Sequence, residues 1–226
     1  MPRPLIPDRR ARLVAAAREL ALDKGWTTTT VSDIAARAGI GKGAVYLEFP
    51  DKAAILAAVL NAGMRTLTAD VHRRVLDAGD VVDLPMIYRF GVEALLADPL
   101  MRAMYLGDDA TLGEHVRAVT DGRYQQRFDW LVDYIVALQR IGVIDAGVAI
   151  GPLVRMLGVF TIGLLQAPAI VDVGADDQLR DTVGLFADLV GRGLATGLPV
   201  DPEEARQAQL ILLERLDDQL RQLVLR

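Results

Sequence analysis

Residues 29–52 read TTVSDIAARAGIGKGAVYLEFPDK, and this stretch decides the fold class. A cap-like pair that begins at Thr30 opens a predicted helix over about 31–38, where apolar residues recur at helical spacing. Gly39 predicts a tight turn, and a second short helix is expected over about 42–48. Two short helices joined by a glycine turn are typical of a helix-turn-helix unit.

Helical patterns continue on both sides of this unit. A helix is predicted over about 9–24, and a long helix begins near Lys52. The prediction is an all-α fold with a three-helix N-terminal domain and flexible arm at residues 1–52, and a helical domain at residues 53–226. Further helices are expected over about 84–97, 99–107, 112–140, 148–166, 177–196 and from 202 to the C-terminus.

Composition limits the possible functions. The chain has 226 residues, 52% of them hydrophobic, and no cysteine, so disulfides and thiolate metal sites are excluded and a cytoplasmic location is expected. His72 and His115 are isolated, and no nucleophile and base form a set, so we expect no metal, no cofactor and no catalytic residue. The longest uncharged run, 156–171, is shorter than the ~20 residues of a membrane span, so no membrane partner is expected.

Charge is distributed unevenly along the chain. The net charge is −5, yet residues 1–60 hold nine Lys and Arg against six Asp and Glu, which gives +3 there and −8 in the remainder. A basic N-terminal segment on an acidic body can bind a polyanion locally. The asymmetry favours nucleic acid as the partner of the helix-turn-helix unit.

The run from Thr29 to Lys52 closely resembles the DNA-binding signature of the TetR family, and the resemblance extends over about residues 9–60. It implies a ligand-responsive transcriptional repressor whose second short helix enters the major groove of a palindromic operator in double-stranded DNA. The body resembles the family only in its length and helical pattern. The implied DNA-binding residues are Thr29, Thr30, Gly41, Lys42, Gly43, Ala44, Val45, Tyr46 and Lys52.

The resemblance implies a contact for each type of side chain. Lys42 would donate to a guanine edge or a phosphate, and Ala44 or Val45 would touch a thymine methyl group. Tyr46 would donate its hydroxyl to a phosphate, and Lys52 would attract the backbone electrostatically, although a lysine there also suits an ordinary helix surface.

Further positions define the edges of this surface. Thr30, with Thr29 beside it, would cap the first reading helix and contact phosphate. Gly41 stands where the family commonly has a serine or threonine cap, so one hydrogen bond is missing. Leu47 and Glu48 stand where the family commonly has basic or aromatic residues. We expect Glu48 to turn away from DNA because it would repel phosphate.

Two apolar helices predict a homodimer. Operator half-sites about 34–36 Å apart require a two-fold dimer, and the helices over about 148–166 and 177–196 are very apolar. The resemblance implies that these helices form a four-helix bundle between subunits, while one face of each also packs in the core. The predicted interface residues are Leu153, Leu157, Phe160, Leu164, Val183, Phe186 and Val190.

A small-molecule effector is the other partner that the resemblance implies. Large, adaptable side chains on the middle helices suit an apolar pocket with a few polar groups, although ordinary core packing explains each of them as well. Ligand binding would favour a dimer whose reading helices are wrongly spaced for DNA. The predicted pocket residues are Phe90, Glu93, Met104, Tyr105, Tyr124, Phe128, Arg155, Met156 and Phe160.

Alternatives remain open at this point. One is a helical enzyme that acts on a small apolar substrate, and another is an activator or a structural DNA-binding protein without a ligand. The leucine stripe on the helix after Asp201 has three possible roles: packing within the same subunit, extending the dimer or covering the pocket.

Overall fold

The computed structural model describes residues 8–106, 122–167 and 176–225. Over these ranges the chain forms ten helices, which confirms the all-α fold class. The predicted N-terminal arm before Asp8, the start of the helix predicted from residue 112, and His115 lie outside the described residues. The helices are α1 (Arg9–Lys24), α2 (Val31–Ala38), α3 (Lys42–Glu48), α4 (Lys52–Asp77), α5 (Leu84–Ala97), α6 (Pro99–Leu106), α7 (Arg123–Arg140), α8 (Ile150–Gln166), α9 (Asp176–Leu194) and α10 (Pro202–Leu225).

Side-chain caps set the starts of α2, α4 and α5. The side chains of Thr30, Asp51 and Asp83 accept a hydrogen bond from the third backbone amide of α2, α4 and α5, respectively. Gly25 and Gly39 follow α1 and α2 with φ angles of 81° and 65°, which a residue with a Cβ atom rarely adopts. The bounds predicted for α1, α2 and α3 are confirmed.

One hydrophobic core joins the first helices to the body. Leu13, Ile34 and Val45 from α1 to α3 belong to the same cluster as Met101 of α6 and Val183 of α9. All five side chains are at most 1% exposed. The cluster also includes α4, so this helix belongs to both parts of the molecule. The domain division predicted after the first residue of α4 stays a prediction.

The central helix of the fold is α4, which packs against α1, α5, α6 and α10. Its length and hydropathy alone would suit a membrane span. Its buried residues, such as Ile55 and Val59, are however part of the core. Helix α10 packs on α4 and α7 of the same chain, with Leu213 and Leu220 buried. The leucine stripe therefore packs within the subunit, which is the first of the three possibilities.

A close approach between α5 and α9 provides a test of this packing. A methyl group at Gly191 would lie 2.8 Å from Cγ of Pro85 in the first turn of α5, whereas one at Gly193 would meet nothing within 4 Å. We predict that Gly191→Ala lowers the free energy of unfolding by about 1–3 kcal/mol relative to Gly193→Ala, because overpacking outweighs the gain in helix propensity. Urea denaturation at one protein concentration measures both variants, and equal stabilities would contradict the prediction.

Candidate nucleic-acid interface

The start of α2 is held by a capping box. Oγ1 of Thr30 accepts a hydrogen bond from the Asp33 amide at 3.1 Å, and the Thr30 amide donates to Oδ2 of Asp33 at 2.9 Å. The Lys24 ammonium also donates to this carboxylate, at 2.7 Å. The hydrogen bond from Lys24, followed by those from Thr30, holds the pKa of Asp33 well below its usual value. The predicted cap at Thr30 is confirmed, and its side chain is exposed.

Thr29 is turned inward. Its side chain is fully buried, and its hydroxyl donates to the Gly25 carbonyl at 2.8 Å. The predicted phosphate contact of Thr29 is therefore wrong, because this hydroxyl closes the loop between α1 and α2 from inside. In a run of four threonines, residue type does not distinguish the buried position from the exposed ones.

Lys52 ties α4 to the same loop. Its Nζ donates to the carbonyls of Trp26 and Thr27 at 2.8 and 3.3 Å, and lies 4.8 Å from the centroid of the Trp26 ring. Burial lowers the pKa of Lys52, and the charge of Lys24 adds to this shift. Sequence reasoning missed this structural role, and a phosphate contact by Lys52 would compete with these bonds.

Helix α3 has one buried face and one exposed face. Val45 and Phe49, which directly follows the helix, are 0% and 1% exposed and anchor α3 on the core. The predicted DNA contact of Val45 is wrong, because this position faces inward. The exposed side consists of Lys42, Gly43, Tyr46 and Leu47.

Small residues leave the backbone of α3 open. Gly41 is the N-cap and contributes no side-chain hydrogen bond, and Ala44 is half-buried against the core. A methyl group at Gly41 or Gly43 would meet nothing within 4 Å. The packing of the subunit therefore does not demand glycine at either position, and a close approach of another molecule is sterically free.

Several cations of the first helices are neutralised within the protein. Arg9 pairs with Glu48 at 2.9 Å, and Arg37 pairs with two acidic residues of α1 at 2.9 and 3.0 Å. Glu48 therefore faces α1, which confirms the expectation that it turns away from the reading surface. Lys42 is exposed, and it makes no ion pair with the part of the chain that the structure describes.

The faces that the sequence assigned to a dimer are partly buried in the subunit. Leu153, Leu157 and Val183 are at most 4% exposed, and Val190 is 7% exposed. Their assignment to the interface is wrong, because these four side chains belong to the subunit's own core clusters. Leu164 is half-buried against the core as well.

The opposite faces of the same two helices are apolar and exposed. Phe160 of α8 and Phe186 of α9 stack with their ring centroids 3.4 Å apart, so the two helices meet there. Apolar side chains that are 40–72% exposed lie on their outer sides. These are Met156, Val159 and Ile162 on α8, and Leu185 and Leu189 on α9.

The residues predicted to line an effector pocket have different environments in the described part of the chain, and their assignment to a pocket stays a prediction. Tyr105 is buried beside Met104, and its hydroxyl donates to the Leu164 carbonyl at 2.8 Å. Burial raises the pKa of Tyr105 to about 12. Glu93 accepts a hydrogen bond from Arg180 at 2.9 Å, in an ion pair between α5 and α9.

The remaining predicted pocket residues lie in different places. Arg155 and Met156 are exposed on α8, and the ring of Phe128 packs against Gly158 of that helix. The guanidinium carbon of Arg127 lies 5.2 Å from the centroid of the Tyr124 ring. Phe160 stacks on Phe186. Phe90 lines a groove of about 590 Å³ between α5 and α9.

Comparison with known proteins identifies the first helices. Residues 13–59 match the family model described as bacterial regulatory proteins, tetR family. The HTH-type transcriptional regulator HbdR of Aromatoleum sp. (strain CIB) is 32% identical over 71 residues, which are 31% of this chain and 31% of HbdR. The matched part thus spans less than a third of that regulator.

Two longer matches cover most of the chain. The uncharacterized HTH-type transcriptional regulator Rv2250c of Mycobacterium tuberculosis (strain ATCC 25618 / H37Rv) is 28% identical over 183 residues, 80% of this chain and 90% of that protein. The solved structure of the fatty acid degradation regulator FadR from Bacillus halodurans has a TM-score of 0.57 at 17% identity, and covers 87% of this chain and 100% of that chain. This structural likeness shows the fold.

The family match covers α2, α3 and the adjoining parts of α1 and α4. The matched part of the chain, residues 13–59, is therefore a DNA-binding region of the TetR type. Its relatives are transcriptional regulators, which supports a DNA-binding regulator over the enzyme alternative.

The contrast between Lys52 and Lys42 gives a testable distinction. We predict that Lys52→Met lowers the free energy of unfolding by about 1–2 kcal/mol, because two loop carbonyls lose their charged donor. Lys42→Met, at an exposed position that has no ion pair with the described residues, should change it by less than about 0.5 kcal/mol. Urea denaturation measures both, and a larger loss for Lys42→Met would contradict the structural role of Lys52.

Proposed function

We propose that the protein is a homodimeric repressor that binds a palindromic operator through α3 and releases it when a small apolar molecule binds the body. The observation that carries the DNA-binding part is the exposed face of α3, where Lys42 and Tyr46 stand beside open backbone. Chromosomal DNA is the target, so we infer that the protein works in the cytoplasm.

The exposed side chains divide between phosphate and base contacts. Lys42, the first residue of α3, can donate to the guanine O6 and N7 atoms or to a phosphate. Tyr46 lies about one turn later and is 50% exposed, so its hydroxyl can donate to a phosphate. The Thr30 hydroxyl stands at the N-terminus of α2, where the helix dipole favours an anion, and a phosphate there would replace Asp33, to which this hydroxyl donates at 2.7 Å.

A dimer is supported by the outer faces of α8 and α9. Val159 is 72% exposed, and Leu185 and Leu189 are 63% and 61% exposed. Burial of apolar surface stabilises a protein by roughly 25 cal/mol per Å². This free energy is not gained while these side chains remain in water. A second copy of the chain, related by a two-fold axis, would cover the face with the same face of its own. We therefore assign the dimer contact to the side opposite to the one predicted from the sequence.

Helix α6 connects the proposed dimer helices to the reading helices. Asp98 caps the start of α6 and accepts a hydrogen bond from Arg18 of α1 at 2.9 Å, in an ion pair whose carboxylate is 6% exposed. Further along α6, Arg102 pairs with Asp176 of α9 at 2.9 Å, and Tyr105 bonds to α8. A shift of α8 or α9 would therefore reach α1 through packed contacts.

For the effector we propose the groove between α5 and α9 that holds Phe90. Met86 contributes a second apolar side chain, and Arg89 and Asp188 form an ion pair at its wall. A ligand that fits better when α5 and α9 separate would move the proposed dimer helix α9 and lower operator affinity. A ligand with equal affinity for both arrangements would have no effect.

Selection of duplexes from a random DNA library tests the DNA-reading face. We predict that the wild type enriches a palindrome and that Lys42→Ala weakens binding to it. If Lys42 contacts phosphate, the slope of log K against log salt should fall by about 0.9 for each subunit. Tyr46→Phe should weaken binding roughly fivefold per subunit through one lost hydrogen bond, with an unchanged salt slope because the hydroxyl is neutral.

The matched control for this selection is Arg73→Ala, which removes a surface cation of α4 that already pairs with Asp70. It should leave operator affinity unchanged. Enrichment of a single unpaired half-site would contradict the palindromic operator, and no enrichment at low salt would overturn the assignment of α3 as the reading helix.

Charge on the outer faces of α8 and α9 tests the dimer. We predict that Val159→Glu combined with Leu189→Glu yields a monomer in sedimentation velocity, because paired subunits would bury four carboxylates. The helix content should not change, since both side chains are exposed in the single subunit. Leu198→Glu is the control at a 65% exposed site outside these helices, and it should remain dimeric. A double variant that stays dimeric would place the contact elsewhere.

A further inference from the structure

Leu47 is the most exposed large hydrophobic side chain of the described residues, at 75%. It lies on the exposed side of α3, where positions 43, 46 and 47 share one face of the helix. We propose that Leu47 determines operator sequence by packing against the C5-methyl group of a thymine in the major groove. This inference rests on the proposed operator binding through α3.

The position of Leu47 is not explained by the subunit's own packing. The inward face of α3 is filled by Val45 and Phe49, and Leu47 belongs to none of the three core clusters. The next most exposed apolar side chain, Val159 at 72%, lies on the proposed dimer face. An exposed leucine on the short reading helix is therefore continuous with the DNA interface rather than with the core.

The chemistry of the major groove points to one occupant. Leucine has no hydrogen-bonding group, so it cannot read the donor and acceptor pattern of a base edge. Thymine alone among the four DNA bases presents a methyl group in the major groove, and apolar side chains contact it there. The open space beside Gly43 lets the helix come close enough for such a contact. Leu47 thus replaces Val45 as the residue proposed to contact a thymine methyl group.

Replacement of thymine by deoxyuridine tests the inference, because it removes the methyl group and leaves the hydrogen-bonding edge intact. Duplexes are first selected with the wild-type dimer, and each thymine of the half-site is then replaced in turn. At one position we expect a loss of affinity of roughly fourfold for one half-site and roughly 15-fold for both, as for one buried methyl group each. Fluorescence anisotropy at fixed salt measures the Kd values.

Variants at position 47 make the assignment specific. Leu47→Ala should bind the thymine and deoxyuridine duplexes equally, with an affinity close to that of the wild type for the deoxyuridine duplex. Leu47→Met keeps an apolar side chain of similar volume and should retain the discrimination. Leu76→Ala, at a 54% exposed position of α4, is the control and should behave as the wild type.

Each other outcome overturns the inference in a recognisable way. If the wild type binds its selected operator but tolerates every deoxyuridine, or if Leu47→Ala keeps the wild-type discrimination, Leu47 does not read a methyl group and the proposed function stands. If Leu47→Ala changes the sedimentation behaviour without changing DNA affinity, the side chain contacts another protein chain. If the wild type selects no sequence at all, the proposed operator binding fails together with the inference.

Discussion

The burial of Val45 and Phe49 is the constraint on which the DNA-reading surface depends. Helix α3 has seven residues, fewer than the ~12–15 that an isolated helix needs, and its N-cap is a glycine without a capping side chain. Local propensity therefore cannot hold it, and the two inward side chains must. Because they also fix the rotation of α3 about its axis, the same contacts decide that Lys42, Tyr46 and Leu47 point outward.

The core that holds α3 extends beyond the first three helices. It includes Met101 of α6 and Val183 of α9, and Arg18 of α1 bonds to the buried carboxylate of Asp98. The reading helices are thus packed on the helices proposed to sense the effector, instead of hanging from a flexible linker. Packed interiors do not deform continuously, so a shift of α6 would move α1 by repacking. This packing would allow the proposed ligand in the body to change the affinity for DNA.

The sequence predicts where the helices of this fold lie better than which way they face. Caps and glycines gave the bounds of α1 to α3, because these signals act within a few residues. Inward and outward positions depend on distant packing, so Thr29 and Val45 were assigned to DNA although both are buried. On α8 and α9 both faces are apolar, and periodicity could not separate the core face of Leu157 from the exposed face of Val159. The groove at Phe90 arises from α5 and α9, nearly a hundred residues apart in the chain, and local patterns carry no sign of it.

Ion pairs within the protein reduce the number of cations that the basic N-terminal segment can offer to phosphate. Residues 1–60 hold nine cations, but Arg9, Lys24 and Arg37 are paired with carboxylates of neighbouring helices. Affinity that comes from phosphate neutralisation falls steeply with salt and carries no sequence information. With those cations engaged, more of the affinity for the proposed operator would have to come from hydroxyl groups, helix N-termini and apolar contact at the bases. Such a surface would lower non-specific affinity more than specific affinity. The ratio of the two, on which a regulator with few sites in a genome depends, would therefore rise.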